Sequence, residues 1–111
     1  MTSSVKKGNY YKVKTKEYFI EKGYVVEYLE KYQSIFIPKT KKVFHIKKDL
    51  FASDILAMNG EDIIFINSVL GKEHLAEHIR EFQKYPFPKF VKRWIVAWTP
   101  RVKEPDIVIV E

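Results

Sequence analysis

Ser53-Asp54-Ile55-Leu56-Ala57-Met58, then Asn59-Gly60, then Asp62-Ile63-Ile64-Phe65-Ile66-Asn67, is the stretch that decides how this 111-residue chain folds. Two apolar runs joined by Asn-Gly are the strongest short-range mark of a β-hairpin, because Asn and Gly accept the positive φ of a tight turn. A two-residue turn centred on Asn59-Gly60 makes the numbers of facing residues add to 119. Asp54 then lies opposite Phe65, and Ala52 opposite Asn67. Period-two alternation puts Asp54, Phe65, Asn67 and Val69 on one face. Asp54 and Asn67 become diagonal neighbours, with α-carbons roughly 7–8 Å apart. A carboxylate and an amide oxygen at that separation can share one divalent cation, and Mg²⁺ is often held by one or two protein groups plus substrate phosphate. Asp54 stands in an apolar stretch, where an unpaired charge is costly. The plain alternative is an aspartate that caps the start of the strand.

Outward from the hairpin, residues 10–22 read as a helix. Tyr11, Thr15, Tyr18, Phe19 and Lys22 form its stripe, Val13 and Ile20 widen it, and Gly23 stops it. Residues 1–9 read as a flexible basic lead-in. Strands follow at Tyr24–Leu29, Ile35–Ile37 and Val43–Ile46. After Gly71, residues 73–84 read as a second helix, with Leu75, Ala76, Ile79 and Phe82 on one face. Arg93–Trp98 and Asp106–Val110 read as closing strands. Trp94, Val96 and Trp98 share a strand face, as core or as a dimer contact. The order of one helix, several strands, a second helix and two strands describes a single α/β or α+β domain over 1–111, with helices packed on a mixed sheet.

Composition narrows the chemistry. There is no cysteine, which excludes disulfides, thiolate zinc sites and a cysteine nucleophile and fits a reducing compartment. No apolar run approaches the length of a membrane span, and the first residues carry no secretory signal, so a cytoplasmic protein without a membrane partner is expected. The net charge is +6, unevenly spread. Residues 1–48 hold twelve lysines and four glutamates; residues 49–111 hold eight basic and ten acidic side chains. A basic half of this kind suits a polyanion, whose counterions lysines release, although a merely solubilising surface has the same composition. Tyr10, Tyr11, Tyr24, Tyr28 and Tyr32 alternate with lysines, either as a base-stacking surface or as half-buried structural positions.

The segment Lys48-Asp49-Leu50-Phe51-Ala52-Ser53-Asp54-Ile55-Leu56-Ala57-Met58, followed by Ile64-Phe65-Ile66-Asn67-Ser68-Val69, resembles the core of the PD-(D/E)XK nuclease superfamily, in particular its small Holliday-junction-resolvase-like and phage-type members. Arg93-Trp94-Ile95-Val96-Ala97-Trp98-Thr99-Pro100-Arg101, with Glu104-Pro105-Asp106 after it, resembles their closing strands. The resemblance spans roughly residues 8–111 and implies an α/β fold with a restriction-endonuclease-like αβββαβ core, a mixed sheet flanked by helices. It implies that Asp54 is the metal-binding aspartate, that Asn67 stands where the superfamily has Glu or Gln, and that Val69 stands where it has the catalytic lysine. Lys12, or Tyr11 beside it, falls near the place of a helix Glu that adds to the metal site in many members.

Two functions follow from that resemblance. One is a Mg²⁺- or Mn²⁺-dependent DNA endonuclease, or a catalytically degenerate DNA-binding relative of one. In the active form, Asp54 and Asn67 hold the metal and Lys72, just past the hairpin, replaces the missing lysine, with Arg80 or Lys84 as other substitutes. Lys12, Lys47, Lys48, Lys72 and Arg80 are the expected phosphate contacts, and a homodimer is the expected assembly by analogy. The other is an inactive nuclease fold reused as a protein-binding or assembly module, which the loss of the lysine favours. Asp49 either caps the lysine-rich turn, pairs with Lys47 or supports the cation from behind. His74-Leu75-Ala76-Glu77-His78 also spells an inverted zinc-protease motif, with both histidines one turn apart. Surface histidines on an amphipathic helix are the simpler reading, because only 33 residues follow the motif.

Overall fold

A computed structural model describes residues 4–29, 31–48 and 50–111; side chains are described outside 4–8, 31–37 and 44–48. The order is α1 (Ser4–Glu21), β1 (Val25–Tyr28), β2 (Lys31–Ile37), β3 (Lys42–Lys48), β4 (Ile55–Met58), β5 (Ile63–Leu70), α2 (Leu75–Gln83), β6 (Lys92–Trp98) and β7 (Asp106–Val110). Five strands form one mixed sheet in the order β1-β4-β5-β6-β7, and β2 and β3 pair separately as a ribbon. Among the described residues only β5 and β6 pair in parallel, and α2 makes the crossover between them, as a parallel connection requires. The expected α/β architecture, a mixed sheet flanked by helices, is the one observed.

Helix α1 begins six residues earlier than the sequence pattern indicates, so residues 4–9 are helical and not a flexible lead-in. Gly8 lies inside it; one glycine costs a helix about 1 kcal/mol, too little to stop it. The helix ends as expected. Gly23 takes φ 93, its N–H donates to the Ile20 carbonyl, and the Tyr24 N–H donates to the Phe19 carbonyl, the paired bonds of a Schellman cap. Thr15 and Phe19 are fully buried and Tyr11 and Tyr18 pack beside them, whereas Val13 and Ile20 are half exposed and do not widen the buried stripe.

Two apolar layers follow from the alternation of β5. Ile64 and Ile66 face α1 and join Phe19, Val26, Ile55, Ala57, Val96 and Trp98. Phe65 and Val69 face α2 and join Phe82, Ile95 and Val110. Trp98 is thus a core residue, with Trp94 packed at the margin of the same layer. Inside the α1 layer lies one polar node. The Trp98 indole N–H donates to the Thr15 hydroxyl (2.7 Å), which donates to the Tyr11 carbonyl (2.8 Å) and lies 2.7 Å from the Ser68 hydroxyl. The node fixes the roll of α1 over β5 and β6, because each buried polar group needs its partner. Among the described residues, no helix is long and apolar enough to cross a membrane.

Thr15→Val keeps the shape but strands the Trp98 N–H. We expect a loss of about 1–3 kcal/mol in urea unfolding, the desolvation cost of an unsatisfied buried donor. A change within about 0.5 kcal/mol, the range of an ordinary surface substitution, would contradict the node.

Candidate functional site

The central hairpin forms, but not with a two-residue turn. The observed register pairs Met58 with Ile63 and Ile55 with Ile66, and Leu56, not Asp54, lies opposite Phe65. The cause is the Asn59 side chain. Its Oδ1 accepts the N–H groups of Glu61 (3.0 Å) and Asp62 (2.7 Å), which holds both residues in a four-residue loop. The shift is two residues, so each side chain keeps its face while its partner changes. One step beyond the first ladder pair, Asp54 and Asn67 become direct neighbours rather than diagonal ones.

Asp54 precedes β4 and hooks onto β5 twice. Its N–H donates to the Ile66 carbonyl (3.0 Å), and its Oδ1 accepts the Ser68 N–H (3.1 Å). The carboxylate therefore takes the place of a main-chain acceptor in the ladder. Its approach is set by a tight turn over residues 50–53, closed by reciprocal bonds between Leu50 and Ser53. Phe51 and Ala52 at its centre have φ 52 and 59. Left-handed backbone costs an L-residue roughly 1–2 kcal/mol. The Phe51 ring lies edge-on to Phe65 and Tyr85 and close to Phe87, contacts that hold the turn closed.

Asn67 lies under α2. Its Nδ2 donates to Nδ1 of His78 at 2.9 Å, which places the ring proton on Nε2 and turns the amide oxygen away from the imidazole. His78 is therefore a half-buried site residue and not a surface one, whereas His74 points outward to Glu77 at 3.6 Å. The two histidines of the zinc-protease pattern do not act together. The signal for His78 was present in the sequence: it stands three residues after Leu75 and four before Phe82, on the buried stripe. Ala76, assigned to that stripe, is exposed.

Asp54 is 2% exposed and Asn67 8%. Among the described residues, no group of three His, Asp or Glu side chains is placed to hold a metal. Among the described residues, one buried carboxylate already bonded to a backbone N–H and one neutral amide oxygen, with no lysine beside them, do not fit a hydrolytic Mg²⁺ centre, which needs charge and an activated water. Val69 is half-buried in the α2 layer. Lys72 lies five residues past Asn67, roughly 16 Å of extended chain, and pairs with Asp106 at 2.5 Å. Lys84 pairs with Glu81 at 2.7 Å, and Arg80 is exposed.

Lys12 is half-buried on α1, beside Tyr11, whose ring packs near Trp98 and whose carbonyl accepts the Ser68 hydroxyl at 3.3 Å. That contact lies on the face of β5 opposite His78. Lys47 and Lys48 belong to β3, with side chains outside the described set; Asp49 also lies outside it. Of the tyrosines that alternate with lysine, Tyr11 and Tyr24 pack against the core and Tyr10 and Tyr28 are exposed; the Tyr32 side chain lies outside the described set. Two lysines of α1 lie on rings, Lys14 at 4.7 Å from Trp98 and Lys16 at 5.0 Å from Tyr28.

No family model and no curated protein matches the chain. Solved structures do. Hjc of Archaeoglobus fulgidus, a Holliday junction resolvase, superposes with a TM-score of 0.59 at 16% identity, over 94% of this chain and 73% of that one. The protein SSO0001 superposes with a TM-score of 0.56 at 18% identity, over 99% of this chain and 53% of its own length. At such identities the likeness is one of fold. The chain has a nuclease-like fold, similar to that of an archaeal Holliday junction resolvase.

The two histidines separate in stability. His78→Ala leaves the buried Asn67 amide without its acceptor and costs about 1–3 kcal/mol in chemical denaturation. His74→Ala stays within about 0.5 kcal/mol of wild type. Equal effects would refute the assignment of His78 to the site.

Proposed function

We propose that this chain is a DNA-binding relative of the resolvases, in which the cation site has been reduced to a structural one. The observation that carries the reading is the Asp54 carboxylate, buried and bonded to the Ser68 N–H beside an uncharged Asn67, in a fold shared with a Holliday junction resolvase. The position that would hold a second carboxylate carries an amide tied to His78. The position that would hold a lysine carries Val69. The net charge of +6 supports a polyanionic partner. Contacts of lysine with phosphate position DNA without reading its sequence, which suits a protein that recognises the shape of a junction.

A second reading, an assembly module, is favoured by one apolar groove of about 400 Å³ lined by Phe51, Ile63, Phe65, Tyr85, Phe87 and Val91. Phe90 beside it is 78% exposed. Burial of these rings between two copies would give the dimer its driving force.

Fluorescence anisotropy with four-way and duplex DNA, beside a cleavage assay in Mg²⁺ or Mn²⁺, tests the proposal on wild type and Asp54→Asn, which can still accept the Ser68 N–H. We expect both proteins to bind, with affinity falling steeply as salt rises, and neither to cut. Cleavage by wild type that Asp54→Asn abolishes would restore a catalytic role. A protein that self-associates yet binds no DNA at low salt would move the assignment to the assembly module.

A further inference from the structure

Between β1 and β4 the chain leaves the main sheet and returns as the β2–β3 ribbon. Residues 31–48 contain six lysines and neither aspartate nor glutamate. The ribbon is paired without interruption from Lys31–Lys48 to Ile37–Lys42, and among the described residues neither strand pairs with the five-stranded sheet. At the usual rise per residue it extends roughly 23 Å.

Its two ends lie at the candidate site. The Leu29 N–H, just before the ribbon, donates to the Asp54 carbonyl at 2.9 Å, and the Leu50–Ser53 turn, just after it, feeds directly into Asp54. Its tip is open: Pro38 to Val43 are all exposed, Lys39, Lys41 and Lys42 among them. No ion pair holds these three lysines among the described residues, and Lys41 adopts φ 55 at the turn. A two-stranded ribbon alone in water is marginally stable, and uncompensated like charges weaken it further. A partner that supplies negative charge removes that penalty, and a two-stranded ribbon has the width that the major groove of duplex DNA admits.

We propose that the β2–β3 ribbon is an arm that lays Lys39, Lys41 and Lys42 on the phosphates of duplex DNA running out from the Asp54 end of the sheet. The inference rests on the DNA-binding reading and names the element that makes the contact.

The salt dependence of duplex binding tests it, because each phosphate contact contributes about 0.9 to the slope of log K against log salt. The ribbon variant carries Lys39→Gln, Lys41→Asn and Lys42→Gln, with Asn chosen because it tolerates the left-handed backbone. A control variant carries Lys89→Gln, Lys103→Gln and Arg101→Asn, all exposed and outside the ribbon. Circular dichroism and urea unfolding establish that each variant is folded. We expect the ribbon variant to lose up to about 2.7 of the slope and the control to lose less than half as much. Wild-type binding with an unchanged slope in the folded ribbon variant overturns the arm and leaves the DNA reading in place. Equal loss in both variants also overturns it, since the charge would then act without regard to place. Absence of wild-type binding at low salt overturns both inferences, as does ribbon-dependent binding to phosphatidylserine vesicles without binding to DNA.

Discussion

Strand β5 carries the structure, because both of its faces are buried and every polar group on it must find a partner inside the protein. The Ile64 and Ile66 face lies under α1, and the Phe65 and Val69 face lies under α2. Antiparallel β4 and parallel β6 satisfy its backbone, except where β4 ends. There the Asp54 carboxylate accepts the Ser68 N–H. A buried N–H left without an acceptor costs about 1–3 kcal/mol, so Asp54 is needed by the fold before any chemistry is asked of it.

Much of this architecture is legible in the sequence, and the misses share a cause. Alternation at 53–69, the stop at Gly23 and the amphipathic run after Gly71 are local signals, and each matches the element observed. The register missed by two because Asn59 acts through its side chain as well as its backbone, which a reading of Asn-Gly as a turn pair does not weigh. The turn at Phe51-Ala52 carries no sequence signal, since its left-handed backbone is held by aromatic rings from elsewhere in the chain. The sequence reading leaves His78 on the exposed flank of α2, because it draws the stripe through Leu75, Ala76, Ile79 and Phe82, whereas in the helix His78 is half-buried and Ala76 exposed. The neutral character of the site was visible from the start in Asn67 and Val69; that the aspartate was already bonded to β5 became visible only with the fold.

Charge and site fit together. In the described residues Lys72 is bound in an ion pair with Asp106 and Lys84 in one with Glu81, while Lys14 lies on the Trp98 ring. Lys39, Lys41 and Lys42 stand together on the ribbon tip, and among the described residues no ion pair holds them.

The most direct measurement is a titration of uniformly ¹⁵N-labelled protein with a four-way DNA junction, followed by amide chemical shifts. The account predicts the largest changes at Lys39–Lys42 and along Leu50–Asp54, with the Asn67 side-chain amide still bonded to His78. Shifts confined to the aromatic groove around Phe65 and Phe87, or no shifts at all at low salt, would contradict it.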